Sequence, residues 1–225
     1  LVSGEWPGTM NLTEPHAGSD LSELRCRAKR ENGHYRIKGQ KIYISWADND
    51  FTENVCHLVL ARLPNSPSGT KGISLFLVPK FIPDQVGEPG QANSLKVVSL
   101  EHKLGLHGSP TAVMQYEEAY GIMIGEPNQG MAAMFTMMNN ARLGVGGQGI
   151  AVAEAAYQKA LAFAKERTQG KPLMGGTSIV GHADVRRMLA EMKADVFAAR
   201  SIGAACALAI DMAKVCLLYT SDAAD

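Results

Sequence analysis

The spacing of apolar residues changes near residue 125, and this change limits the possible folds more than any other feature. From about residue 10 to residue 119, the chain carries short alternating or fully apolar runs separated by turn residues, as is typical of strands. Beyond residue 125, apolar residues recur at helical spacing. The sequence therefore predicts an α+β multidomain protein. Residues 1–125 form an antiparallel β-barrel or sandwich, and residues 126–215 form the start of an up-and-down helical bundle.

The strand pattern is clear in four segments, which are residues 34–38, 55–61, 74–78 and 112–117. The first segment alternates before Gly39, and residues 41–45 are interpreted as a strand end. The second is nearly all apolar, as in a strand that is buried on both faces. Residues 87–94 are rich in Gly, Asn and Gln and predict an exposed loop.

Two long helices are predicted in the second part. The first runs from about residue 130 through Arg167, and a segment rich in Gly, Pro and Ser at residues 170–181 separates it from the second. Methionine fills irregular gaps between helices, so we assign the apolar stripes of both helices to the core. These stripes are Met131, Met134, Phe135 and Met138 in the first helix, and Val185, Met188, Leu189, Met192, Val196 and Ala199 in the second.

The sequences at the two ends of the chain suggest that it is a fragment of a longer protein. The sequence begins without Met and reaches its first motif almost at once, so we expect that an N-terminal part, with any targeting segment, lies upstream. Residues 216–225 resemble a translated sequencing adapter. We interpret them as a non-native tail and leave them out of the fold prediction.

Composition and charge limit the classes of partner that the protein can bind. The 225 residues, 46% of them hydrophobic, are ample for a packed core. Twenty-two basic and 22 acidic side chains balance, so the charge favours a small-molecule or protein partner over nucleic acid. No run of about eighteen apolar residues occurs, which predicts no membrane span. The four cysteines lack paired or metal-like spacing, and this predicts reduced, packed thiols in the cytoplasm.

Three familiar site classes are not supported. Residues 144–149 match G-x-G-x-x-G in letters, but they follow a helical run instead of a strand, so we reject a dinucleotide site. The small residues there would let the helix approach a neighbour or a ligand closely. The histidines have no metal-like spacing, so no metal site is predicted. A Gly-x-Ser-x-Gly elbow, the commonest hydrolase signature, does not occur.

Residues 12–20 and 41–45 concentrate the side chains that can bind a ligand. They supply three small hydroxyl donors, a glycine and an aromatic ring, which are Thr13, Ser19, Ser45, Gly18 and Tyr43. The glycine lets backbone come close to a ligand, and the ring can stack beside a heterocycle. Residues 12–20 taken alone have an alternative interpretation as an ordinary turn, because Thr-Glu-Pro and Gly-Ser-Asp are also good turn chemistry.

Together, the two segments resemble the flavin-binding signature of the acyl-CoA dehydrogenase family, and the rest of the chain follows that family's order. The chain is most similar to the branch that includes 3-(methylthio)propanoyl-CoA dehydrogenases, through residues 5–10, 101–105, 134–139 and 184–189. The resemblance implies FAD-dependent α,β-desaturation of an acyl-CoA in fatty acid metabolism. It also implies an electron-transferring flavoprotein as acceptor, a homo-oligomer of two or four subunits, and a missing N-terminal helical domain.

The resemblance also implies the roles of individual residues. The cofactor-binding residues would be Met10, Leu12, Thr13, Gly18, Ser19, Tyr43, Ile44, Ser45 and Arg167. Thr13 would lie near the pyrimidine edge of the flavin ring, and Ser45 near N5. Arg167 would reach the pyrophosphate of FAD in a neighbouring subunit by charge-assisted hydrogen bonds. Ser19, Asn139 and Arg142 would contact the CoA moiety, although a helix-face ion pair is the alternative for Arg142.

The resemblance places the general base, a desolvated Glu, beyond residue 215. Some members carry the base just before the helix arginine, but Ala141 occupies that position here. We therefore expect no catalytic residue in this chain and no desaturation by the chain alone. Two alternatives stay open: a flavin-dependent oxidase or monooxygenase on the same scaffold, and a DNA-associated alkylation-response flavoprotein, which would need a basic face.

Overall fold

A computed structural model describes residues 1–173 and 175–215. The chain divides into a first unit, Leu1–Thr136, and a second unit that begins at Met137. The proposed adapter-derived tail, residues 216–225, lies outside the described residues. The first unit contains the strands β1 (Gly8–Asn11), β2 (Arg27–Glu31), β3 (His34–Ser45), β4 (Cys56–Arg62), β5 (Ile73–Pro79), β6 (Phe81–Pro83), β7 (Pro89–Ala92), β8 (Leu95–Leu100) and β9 (Thr111–Ile124).

Five of these strands close into a barrel. The sheet order is β1-β4-β2-β3-β9-β5, and β5 pairs back with β4, which completes the ring. β8 pairs with β9 beside β5, and β6 and β7 form a separate pair. Strand β4 is buried on both faces, as its apolar run predicts. The barrel prediction is confirmed, with the addition that β1 and β2 pair with β4 in parallel.

The seam between β2 and β4 consists of a single residue pair, Arg27 with Arg62. The guanidinium of Arg62 adds to the short ladder, because it donates to the carbonyls of Ser22 and Leu24, before β2, at 2.5 and 2.7 Å. It also donates to the carbonyls of Pro67 and Gly69, in the loop after β4, at 3.1 and 2.8 Å. A side chain thus satisfies backbone groups that the sheet leaves unpaired.

Residues 34–38 and 41–45 belong to one strand, β3, which continues through Gly39 and ends at Ser45. Gly39 has φ 150°, and a Cβ there would lie 2.9 Å from the Cys26 Sγ, so glycine permits close packing inside the strand. The predicted loop at residues 87–94 contains β7, which pairs with β6.

Two long helices follow, α1 (Gly130–Glu166) and α2 (Ala183–Val215), as predicted. The glycine-rich residues 144–149 lie inside α1, which agrees with the rejection of a dinucleotide loop. The predicted stripes are only partly buried. Met134, Leu189 and Val196 are core residues, whereas Met188 is exposed.

Residues Ala183–Ala213 of α2 are long and apolar enough to cross a membrane, with a mean hydropathy of 1.5 over a window of 18 residues. Length and composition are weak evidence, because core helices of soluble proteins meet the same criterion. The expected lack of a membrane span therefore stays a prediction.

The cysteines divide into two environments. Cys26 and Cys56 are buried free thiols, as predicted, whereas Cys206 is a free thiol at the surface. Burial raises the pKa of Cys26 to about 11, so this thiol stays protonated near neutral pH. Cys216 lies outside the described residues.

A buried chain of polar side chains crosses the barrel interior. The Tyr116 hydroxyl donates to Asn11 Oδ1 at 2.8 Å, and Asn11 Nδ2 donates to Thr9 Oγ1 at 2.8 Å. Thr9 Oγ1 lies 2.7 Å from His57 Nδ1. Either atom of this last pair can be the donor, and His57 Nε2 is buried without a partner among the described residues. Burial therefore favours the neutral histidine over its charged form.

This arrangement makes the stability of the first unit depend on pH. Desolvation lowers the pKa of His57 from 6.5 to about 4, so the unfolded state binds the proton more tightly. The stabilisation is complete above about pH 6.5 and disappears as the pH falls towards 4, a loss of about 3 kcal/mol. We expect His57→Asn, which keeps a hydrogen-bonding side chain beside Thr9 but no titratable group, to flatten this part of the profile. Urea unfolding at pH 7.5, 5.5 and 4.5 measures the free energy of unfolding of both proteins. If this free energy falls equally with pH in wild type and in His57→Asn, His57 is not the group responsible.

Candidate functional site

The first ligand-binding segment passes from one strand of the barrel to another. β1 pairs with β4 up to Asn11, and the chain then lies beside β3, where the Ile42 N–H donates to the Thr13 carbonyl at 2.9 Å. The two segments that the sequence analysis singled out, residues 12–20 and 41–45, are therefore hydrogen-bonded neighbours in the fold.

A β-bulge in β3 frees this N–H. Lys41 pairs with Met114 of β9, but the next pair is Ile44 with Ala112, so β3 carries one extra residue. A bulge bends its strand and redirects side chains. Tyr43 sits in the bulge with φ 61°, and its side chain is 61% exposed. A bulky aromatic residue seldom adopts this left-handed conformation, and such positions cluster at ligand sites.

The residues after the bulge face in different directions. Ser45 is exposed. Ile44 is only 2% exposed, so its side chain belongs to the core and only its backbone is available to a ligand. The sequence analysis missed Trp46, which is exposed, has φ 55°, and contacts the ring of Phe51 at 5.6 Å between centroids.

Residues 14–17 do form a turn, as the alternative interpretation suggested. Glu14 and Ala17 exchange backbone hydrogen bonds of 2.8 and 3.1 Å. Gly18 and Ser19 follow at the surface, and a Cβ on Gly18 would meet the Thr13 methyl at 3.4 Å. The turn thus brings Gly18 back beside Thr13, and the two interpretations are compatible.

A buried ion pair beneath these segments was not predicted. The Lys41 ammonium is 0% exposed and lies 2.9 Å from Glu14 Oε1. A lysine in a sequence ordinarily indicates a surface position. The available signal was its spacing, since position 41 lies four residues after the buried Ile37 on the same strand, and period two puts both on one face.

The second unit contains a cleft of about 740 Å³ with mainly apolar walls between α1 and α2. Asn139 and Arg142 lie at this cleft, and Arg142 Nη1 donates to Asn139 Oδ1 at 3.2 Å. Gly146 and Gly147 also line it, and a Cβ on either would meet no atom within 4 Å. These glycines leave the surface of α1 open to a ligand, as their sequence pattern suggested.

Arg167 follows the last residue of α1 and is exposed. Its guanidinium donates to Gln169 at 3.3 Å, and its backbone N–H donates to the Phe163 carbonyl at 2.8 Å. Its carbonyl accepts the Ile179 N–H at 2.8 Å. The backbone is thus held at both ends of the residue, while the charge faces outward.

The two parts of the candidate site differ in chemistry. The first unit presents an exposed ring, hydroxyl groups and close backbone, which suit a flat heterocycle with polar edges. The second unit presents an apolar cleft with a cation and an amide, which suit a long, partly apolar ligand that carries an anion. Within residues 1–173 and 175–215, no group of three His, Cys, Asp or Glu residues lies together as a metal site would require.

Comparisons with known proteins agree with this division. Residues 9–119 match the family described as acyl-CoA dehydrogenase, middle domain, and residues 128–223 match acyl-CoA dehydrogenase, C-terminal domain. The chain is 50% identical to 3-methylmercaptopropionyl-CoA dehydrogenase of Ruegeria pomeroyi over 95% of its length, and it spans 37% of that relative.

Solved structures give the same result. The butyryl-CoA dehydrogenase of Megasphaera elsdenii aligns with a TM-score of 0.72 and 25% identity, over 87% of this chain and 47% of that one. A structure described as the electron transferring flavoprotein of Acidaminococcus fermentans aligns with a TM-score of 0.74 and 27% identity, over 91% and 49% of the two chains.

The bulge conformation predicts an unusual order of stability at Tyr43. Because φ is positive there, we expect Tyr43→Gly to be more stable than Tyr43→Ala by about 1 kcal/mol. Both variants lose the ring, so its contacts cancel in the comparison. At the neighbouring Ile42, glycine should instead be less stable than alanine by roughly 0.5–1 kcal/mol. Urea unfolding measures the four free energies, and the same order at both positions would contradict the bulge.

Proposed function

The chain belongs to the acyl-CoA dehydrogenase family, and on this premise we propose that the complete protein uses FAD to desaturate an acyl-CoA thioester between its α and β carbons. The 50% identity to a 3-methylmercaptopropionyl-CoA dehydrogenase favours a short, sulfur-containing acyl group as substrate. Straight-chain acyl-CoA is the second choice. The protein would then be an oxidoreductase that acts on a CH–CH group.

The observation that carries the proposal is the pairing of the two segments at the bulge. Their hydrogen bond at 2.9 Å brings Thr13 beside the strand that holds Tyr43 and Ser45. The exposed ring, the exposed hydroxyls and the close backbone fit a flavin. A flavin bound there would supply the acceptor for the two electrons that leave the substrate.

We assign the cofactor contacts to Met10, Leu12, Thr13, Gly18, Ser19, Tyr43, Ser45, and the backbone of Ile44. Arg167 would serve a neighbouring subunit, and its outward-facing guanidinium suits that role. A contact of this kind needs at least a dimer, so a homo-oligomer is part of the proposal.

The cleft of the second unit would hold the thioester substrate. Arg142 supplies a cation for the phosphates or carbonyls of CoA, and its bond to Asn139 orients the guanidinium. The apolar walls suit the acyl and pantetheine chains. Ser19 would add a hydroxyl contact to CoA.

The base that removes the α-proton is proposed to come from the rest of the protein. Ala141, beside Arg142, has no group that accepts a proton. We propose an electron-transferring flavoprotein as the acceptor of the electrons, in line with the neighbouring structure described by that name. We also propose a cytoplasmic location, which the three free thiols of the described residues favour.

Flavin absorbance measurements on the complete protein test the proposal directly. We expect it to purify with bound FAD and to lose the oxidised flavin absorbance when an acyl-CoA is added without oxygen. An electron-transferring flavoprotein should restore the absorbance, and oxygen should do so only slowly. A colourless protein that takes up no FAD would contradict the proposal, and rapid oxygen consumption would indicate an oxidase instead.

The substrate assignment predicts a separate kinetic effect. Removing the cation in Arg142→Met should raise KM for acyl-CoA about 10-fold or more, with a smaller change in kcat, because a charge-assisted contact to CoA is lost. Arg187→Met is the matched control. Arg187 lies on α2 and is exposed, with Asp184 and Glu191 each at 2.8 Å. Equal KM values for wild type and Arg142→Met would refute a substrate contact.

A further inference from the structure

We propose that Glu14 and Lys41 are positioning residues, which hold the two ligand-facing segments of the first unit in the geometry that binds the cofactor. We call this ion pair and its backbone hydrogen bonds the Glu14–Lys41 clip. The inference rests on the proposed function only for the identity of the ligand. The geometry of the clip stands by itself.

Lys41 joins the first segment to β3. Its ammonium is fully buried and donates to the Leu12 carbonyl at 2.9 Å and to Glu14 Oε1 at 2.9 Å. Leu12 directly precedes Thr13, and Lys41 lies two residues before Tyr43. The lysine thus bridges the two segments from below, on the side away from their exposed groups.

Glu14 joins the two ends of the loop that carries Gly18 and Ser19. Its carboxylate accepts the Arg25 N–H at 2.7 Å and the Cys26 N–H at 3.0 Å, in addition to the bond from Lys41. One carboxylate therefore fixes the start of the loop, the end of the loop and β3 at once. Between these anchors, the His16 ring nitrogen lies 3.1 Å from the Glu23 carbonyl.

A buried ion pair is a poor means of stabilising a fold but a good means of fixing the positions of backbone segments. Removing two charges from water is costly, and well-packed apolar residues in the same space are often as stabilising or more so. Charged groups with several bonds in fixed directions are better suited to setting backbone geometry, because each bond has a preferred distance and angle. The clip makes four bonds of 2.7–3.0 Å, three of them to backbone groups of two segments, at Leu12 and at Arg25 with Cys26, and one between the two side chains.

The test compares two double variants of the complete protein. Glu14→Gln with Lys41→Met removes both charges of the clip. Lys96→Met with Glu117→Gln removes an exposed pair of the same unit, which is 3.6 Å apart with side chains 62% and 59% exposed. Three quantities are measured: the FAD dissociation constant of the apoprotein, the circular dichroism of the flavin at saturation, and the urea midpoint of the apoprotein.

We expect the clip variant to bind FAD about 10-fold or more weakly, with altered flavin circular dichroism at saturation, while the control matches wild type. An affinity within threefold of wild type would overturn the proposal. So would an affinity that falls only in step with the urea midpoint while the flavin signal is unchanged, because that result indicates a purely structural pair.

Glu14→Asp supplies a second test if the double variant does not fold. It keeps the charge but shortens the side chain, so the carboxylate no longer reaches all three donors. We expect weaker FAD binding and a shifted flavin signal from this variant too, and wild-type values for both would overturn the clip. Failure of the wild-type protein to bind FAD would instead refute the proposed function.

Discussion

Burial of the Lys41 ammonium is the constraint on which the ligand-facing part of the barrel depends. A charge with no access to water requires partners in fixed places, and here they are a carbonyl of the first segment and the carboxylate of Glu14. Meeting that requirement fixes how residues 12–14 lie against β3. The carboxylate in turn fixes where the following loop ends. One desolvated cation thereby sets the relative positions of three segments that are far apart in sequence.

The bulge in β3 turns this arrangement into a binding surface. With one extra residue between the pairs of Lys41 and Ile44, β3 gives an N–H to the Thr13 carbonyl and turns the Tyr43 ring to the exterior. The cost is a left-handed conformation at an aromatic residue. The surrounding ladder between β3 and β9 is long enough to enforce it. The bulge that interrupts the sheet therefore provides both the hydrogen bond to the Thr13 carbonyl and the exposed ring of Tyr43.

Sequence patterns predicted the elements whose burial is uniform. The apolar run of β4 and the helical spacing of α1 are of this kind. They could not predict β2, because its Arg27–Glu31 sequence is almost entirely charged and its pairing partners are distant. The role of Gly39 inside β3 could not be predicted either, because the close contact with Cys26 that requires a glycine exists only in the fold. Of the candidate site, the exposed polar residues could be recognised from sequence. The ion pair beneath them could not, because lysine is ordinarily a surface residue.

The seam between β2 and β4 has a consequence for how the barrel comes apart. A single residue pair joins these strands, and the other bonds from Arg62 across the seam run from its N–H to the Cys26 carbonyl and from its guanidinium to the Ser22 and Leu24 carbonyls. Local opening begins where backbone pairing is sparse. The barrel would therefore open first between β2 and β4, near residues 22–25, while the long antiparallel ladder of β3 and β9 stayed paired. This sparsely paired seam adjoins the loop that carries Gly18 and Ser19.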